Sequence, residues 1–197
     1  MTTMCIKLAG LKVFFSYPFF AMLTFALMFD ADGKKSLCIL ASVIHELGHI
    51  IAMKVLYNSD IRISLSLFDF CIASDNDIKH TYTNDIIVSL MGPAVNFSLF
   101  AVFRLFGICD AFAYANLLLG IFNMLPLASF DGGRVLCCVL SKKFDLEKSV
   151  KICNIIAGIF LVPLFMIGIY VWKSTGYNYS ILLVCVYLIL LMFFKKN

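Results

Sequence analysis

The chain has 197 residues, of which 62% are apolar and only 14% charged, with a formal net charge of +4 and a mean hydropathy of +0.96. A soluble domain carries charge on roughly a quarter of its residues, so these figures exclude an ordinary soluble fold, a disordered or collagen-like chain, a coiled coil and a secreted miniprotein, and place the chain in a bilayer. The positive balance calls for no nucleic-acid partner, because lysines and arginines gathered at one membrane face account for it and no basic cluster is interleaved with aromatics.

The first apolar run, 11–29, follows Lys7 and Lys12 and lacks a small-residue cleavage site, so it predicts a retained helix rather than a removed signal peptide. Further runs at 36–57, 85–107, 111–130, 150–172 and 178–194 predict six spans in all, each near the ~20 residues that cross about 30 Å of hydrocarbon.

Inside the second run lies His45-Glu46-Leu47-Gly48-His49, the pattern H-E-x-x-H. Four residues advance an α-helix by about 400°, which leaves the two imidazoles one turn apart and within roughly 40° of each other, where they can share one tetrahedral zinc. Glu46 then points over the open position of the metal. There it can take a proton from zinc-bound water, whose pKa the metal lowers towards about 7, and pass it on to a leaving amine. The competing reading, a polar helix-packing cluster, is disfavoured because an uncompensated carboxylate beside two imidazoles is costly in hydrocarbon, where ionisable residues mark function. Lys54 follows His45 by nine residues, which sets the metal about 14 Å into the bilayer from that end of the helix.

Between the second and third runs the period changes. Ile61, Ile63, Leu65 and Leu67 are apolar, while Arg62, Ser64 and Ser66 are polar, an alternation that predicts a strand. Phe68 to Ser74 can pair with it as a small amphipathic hairpin at the membrane surface. The third run carries Gly92-Pro93 and Asn96, and the fourth carries Asn123 and Pro126 and ends in Asp131-Gly132-Gly133-Arg134. Pro93 and Pro126 are expected to weaken or remove backbone hydrogen bonds and so break their helices where they line a water-filled cavity. Asn96 and Asn123 can donate hydrogen bonds to a peptide carbonyl or an oxyanion, or can serve as interhelical glue.

A catalytic zinc takes a third protein ligand. Val55 occupies the position of a further histidine, and Glu147 is the only later glutamate, which leaves an aspartate or His80. Asp131, closing the fourth run, is the strongest choice, against a helix-end carboxylate paired with Arg134. His80 reads more simply as an interfacial residue. The eight cysteines, Cys5, Cys38, Cys71, Cys109, Cys137, Cys138, Cys153 and Cys185, contain no C-x-x-C pair and read as small core residues rather than a zinc ribbon or disulfide framework.

Of the Lys and Arg residues, twelve fall at the N-terminus, the second and fourth connections and the C-terminus; four (Lys34, Lys35, Arg104 and Lys173) fall on the other face. This bias predicts both termini and access to the site on the cytoplasmic side.

These motifs together resemble the site-2 protease family of intramembrane zinc metalloproteases, peptidase family M50. The likeness lies in His45-Glu46-x-x-His49, Gly92-Pro93-x-x-Asn96, and Asn123-x-x-Pro126 leading to Asp131-Gly132-Gly133, over roughly 36–140. It implies one zinc held by His45, His49 and Asp131, with Glu46 as general base, and a membrane-associated protein substrate cut after local unwinding. The compact form is most similar to the sporulation-type bacterial branch, which implies processing of a sigma-factor precursor in a bacterial cytoplasmic membrane, with an inhibitory or activating membrane partner. The departures are the lack of a PDZ-like insertion and of a nucleotide-binding CBS domain. The segment at 61–67 fits an edge strand to which substrate adds by β-augmentation. The expectation is therefore an all-α polytopic membrane protein of about six spans with a small β element, forming a single metalloprotease domain over 1–197. Its rivals are a proteolytically silent metal-binding scaffold and a zinc transporter.

Overall fold

The structure, a computed structural model, describes residues 3–8, 11–16, 24, 27, 28, 30–57, 61–65, 70–74, 81–127, 129–177 and 179–194. The chain divides into two compact units, Met1–Gly120 and Ile121–Asn197.

The first unit contains a sheet of four strands in chain order, β1 (Thr3–Leu8), β2 (Leu11–Ser16), β3 (Ile61–Leu65) and β4 (Phe70–Ser74). β1 and β2 are antiparallel, with Lys7 opposite Lys12. β2 and β3 run parallel, with Val13 opposite Ile63, and β3 and β4 are antiparallel, with Ile63 opposite Ile72. Two expectations change here. Residues 11–16 form a strand and not the start of a helix: Val13, Phe14 and Phe15 are β-branched or aromatic and suit a pleated surface as well as a membrane helix. The rest of the predicted first span lies largely outside the described residues, as does His80. Second, β3 has a neighbour on each side, so its backbone groups are already engaged and it is not an edge open to an added peptide.

Helix α1 (Lys34–Tyr57) follows a turn in which Gly33 takes φ +69°, a left-handed conformation that costs glycine little. The Asp30 carboxylate caps this helix, accepting from the backbone N–H of Lys35 at 2.9 Å and of Ser36 at 2.7 Å, and from the Ser36 hydroxyl at 2.5 Å. These are donors that the first helical turn cannot satisfy internally.

Helix α2 (Tyr82–Phe106) packs along α1. Ala52, Met53 and Val88 form a small core between them, and the Tyr57 hydroxyl donates to Asp85 at 2.7 Å. Gly48 sets the closeness of approach, since a Cβ there would lie 2.9 Å from the carbonyl oxygen of Met91. Small residues at helix contacts let backbones approach in this way when lipid offers no hydrophobic drive between helices. Pro93 does not break α2, which runs through it to the left-handed cap at Gly107. Helix α3 (Asp110–Asn123) returns after the Arg104–Asp110 ion pair; Phe103 meets Phe112 edge-on, with ring centroids 5.0 Å apart.

In the second unit, helices α4 (Asp131–Ser141), α5 (Leu146–Thr175) and α6 (Ser180–Phe194) follow one another. Leu127, Ala157, Leu161 and Leu188 form the core. The expected continuous span over 111–130 is replaced by a break: α3 stops at Asn123 and Asp131 opens a new helix rather than closing the old one. Met124 and Leu125 donate back to the carbonyls of Ile121 and Phe122, tightening the last turn, and Pro126 has no N–H with which to continue. Among the described residues three helices are long and apolar enough to cross a membrane, α1, α2 and α5.

Candidate metal centre

The site grows from α1. Covalent spacing along this helix brings His45 and His49 to the same buried stripe, 3% and 6% exposed. Their Nε2 atoms are 3.2 Å apart and their rings stand nearly perpendicular, with centroids 4.8 Å apart. Glu46, one residue on from His45, is half-buried beside that stripe.

Helix α2 completes the setting of the imidazoles. His49 Nδ1 lies 2.8 Å from the carbonyl oxygen of Val88. A carbonyl can only accept, so Nδ1 carries the proton and the lone pair falls on Nε2. Ligating histidines are commonly oriented through the second nitrogen in this way. Gly92 lies directly against the pair: a Cβ there would be 2.3 Å from His49 Nε2 and 2.8 Å from His45 Cε1. No side chain fits at 92 unless the imidazoles give way. A cradle closed by glycine around two converging ring nitrogens, one of them held as an acceptor, fits a zinc ion of the kind these donors bind.

Asn96, one turn beyond Gly92, is fully buried, and among the described residues its side-chain amide has no hydrogen-bond partner. Asn116 of α3 is equally buried; its Nδ2 donates to the carbonyl of Phe112 at 2.9 Å, while Oδ1 has no partner among the described residues. Sequence reasoning passed over Asn116, although the same signal was there, a lone amide in an apolar run.

In the second unit, Asp131 is the first residue of α4 and is 8% exposed. Gly132 shapes its surroundings. A Cβ on Gly132 would stand 2.2 Å from the carbonyl oxygen of Met124 and 2.7 Å from that of Leu125, so the turn carrying Pro126 folds directly onto the start of α4. Gly133 is buried beside it and its N–H donates to Phe130. Asn123 is the last residue of α3 and is half-buried. The structure thus groups His45, His49 and Gly92 within one unit, and Pro126, Asp131, Gly132 and Gly133 within the other.

Three comparisons bear on what such an arrangement belongs to. Residues 103–167 match Peptidase family M50. A zinc metalloprotease of Methanocaldococcus jannaschii is 29% identical over 138 residues; the match takes in 64% of this chain and spans 40% of the relative's length. The structure of a site-2 protease from the same organism superposes with a TM-score of 0.66 at 23% identity, covering 95% of this chain and 92% of the other. The chain is thus similar to peptidase family M50 over part of its length and has the fold of a site-2 protease.

Proposed function

We propose that the chain is an intramembrane zinc metalloendopeptidase in which His45, His49 and Asp131 hold the metal and Glu46 is the general base. The observation that carries this reading is the imidazole pair on α1, with Nε2 atoms 3.2 Å apart and His49 oriented through Val88. His45, His49 and Asp131 are all buried, and two imidazoles with one carboxylate make the donor set of a catalytic zinc that keeps its fourth place open. Bound there, zinc would polarise a scissile carbonyl and acidify water.

The chain's own groups carry the rest. Glu46 accepts a proton from the attacking water and delivers it to the leaving amine. Asn96 and Asn123 offer amide donors to the peptide carbonyl or the oxyanion, and Asn96, buried with its amide unpartnered among the described residues, is the better placed to gain from a ligand. The substrate is a membrane-associated protein cut within or beside the bilayer, in regulated proteolysis such as the processing of a sigma-factor precursor, with a membrane partner that restrains or triggers cleavage. Both termini and the access route on the cytoplasmic side follow from the distribution of Lys and Arg, in what the resemblance implies is a bacterial cytoplasmic membrane.

The test is Glu46→Gln. The variant is expected to retain about one zinc per chain and to lose cleavage of a co-expressed membrane substrate, with the uncut precursor accumulating in membrane proteomics. Continued cleavage would remove Glu46 from the reaction, and zinc flux into proteoliposomes carrying the variant would favour a transporter. Asp131→Ala is expected to lower zinc retention; full occupancy overturns its assignment as a ligand.

A further inference from the structure

We infer that Ser89 is a water-binding residue beside the metal centre: its hydroxyl and its backbone carbonyl hold one buried water molecule about a helical turn from the imidazole pair. The use of this water in hydrolysis rests on the proposed peptidase reading; its presence does not.

A serine or threonine inside a helix can satisfy its hydroxyl on the carbonyl one turn back. Ser42 does so on Cys38 at 3.0 Å, Ser98 on Ala94 at 2.8 Å, Ser149 on Asp145 at 3.0 Å and Thr175 on Val171 at 2.7 Å. Ser89 departs from this pattern. It is 1% exposed, and its hydroxyl oxygen has no hydrogen-bond partner among the described residues. A second polar atom of the same residue is left over for a different reason. In a regular α-helix the carbonyl of Ser89 would accept from the N–H four positions on, but that position is Pro93, which has no N–H to give. One buried residue thus presents a hydroxyl that can donate and accept, and a carbonyl that can accept. Burial without partners is costly for both groups.

A water molecule answers that combination. Internal waters bind where the chain leaves buried polar groups unsatisfied, and carbonyls freed by proline at membrane depth are satisfied again by side chains or ordered water. The location gives the water its use. Ser89 follows Val88, whose carbonyl lies 2.8 Å from His49 Nδ1, and precedes by three residues Gly92, whose missing side chain makes way for both imidazoles. Three residues of α-helix rise about 4.5 Å. Because His45 lies about 14 Å along α1 from Lys54, the water consumed in each turnover needs a holding point near the site, and the Ser89 turn supplies one.

The experiment uses the full chain in detergent micelles, equilibrated in water enriched in heavy oxygen and given a brief X-ray exposure. Radiolysis makes hydroxyl radicals from water where it lies, and the oxygen added to each side chain is mapped by digestion and mass spectrometry. Pro93 and Val88, both buried, are expected to acquire heavy oxygen in the wild type, while the buried Leu161 does not. Ser89→Ala is expected to lower the label at Pro93 and Val88 severalfold, and Ser89→Thr, which keeps a hydroxyl, to restore it. Pro93→Ala returns an N–H to the Ser89 carbonyl and should lower the label at Val88. Should Ser89→Ala fail to fold, the wild type and Pro93→Ala decide. No label at Pro93 and Val88 in the wild type, equal label at Leu161, or label unchanged in Ser89→Ala overturns the inference. None of these outcomes touches the peptidase reading, which the cleavage test of Glu46→Gln decides.

Discussion

His49 is fixed through the nitrogen that does not face its partner. Its Nδ1–H to the Val88 carbonyl sets the tautomer, and Gly92 leaves the ring just the space it occupies. Gly92→Ala would put a methyl group 2.3 Å from Nε2, and the ring can escape only by turning off Val88. We expect this variant to fold and to lose most of its zinc, measured as metal per chain after purification; full occupancy would show that the ring is not so confined. A second residue-scale prediction concerns Asp30. The Ser36 hydroxyl first, then the backbone N–H groups of Lys35 and Ser36 and the Lys35 charge, hold its carboxyl below the usual carboxylate value against the effect of desolvation. A depressed folded pKa contributes stability that is present above the unfolded value and is lost as pH falls through the folded one. Acidification below about pH 4 should therefore lower the melting temperature of the wild type more than that of Asp30→Asn, and equal acid sensitivity would refute the cap's contribution. The nearness of His45 and His49 was legible because their spacing within one helix is covalent. The partner of Nδ1 was not, because it depends on the register of α2 against α1, thirty-nine positions along the chain.

At the scale of elements, the break between α3 and α4 separates what hydropathy can see from what it cannot. Met124, Leu125, Leu127 and Phe130 are as apolar as any span, so 111–130 reads as one crossing; Pro126 was the only local sign of a turn. What stabilises the turn is tertiary. Leu127 is 2% exposed, packed with Ala157, Leu161 and Leu188, and Gly132 accepts the turn's carbonyls at contact distance. Leu127→Ala removes the side chain that pins the turn and should cost about 2–5 kcal/mol, as for other buried leucines, read as a lower midpoint of unfolding in detergent; a change within error would show that the turn is held by its backbone alone. Pro93 shows the converse, a residue read as a helix breaker that α2 absorbs in its interior. A proline withdraws one hydrogen bond, but a long helix packed against a neighbour retains the others.

For the molecule as a whole, composition was sufficient to assign the chain to a bilayer, and three helices of spanning length bear that out. The sheet was legible only in part. Alternation at 61–67 signalled β3, whereas β2 hid within an apolar run and its parallel pairing with β3 joins residues some fifty positions apart, which no local pattern encodes. That pairing has a consequence for topology. Among the described residues the sheet is open and ends at β1 and β4, and hydrocarbon cannot satisfy an open sheet edge, so all four strands are expected to share one aqueous compartment. A chain that leaves β2 and re-enters the same sheet at β3 must make an even number of passages between them. Epitope tags placed before Thr3 and between Ser74 and Thr81 should therefore be shielded or exposed together in sealed vesicles, whichever way the vesicles are turned, and opposite protection of the two would mean that no such sheet exists in the membrane.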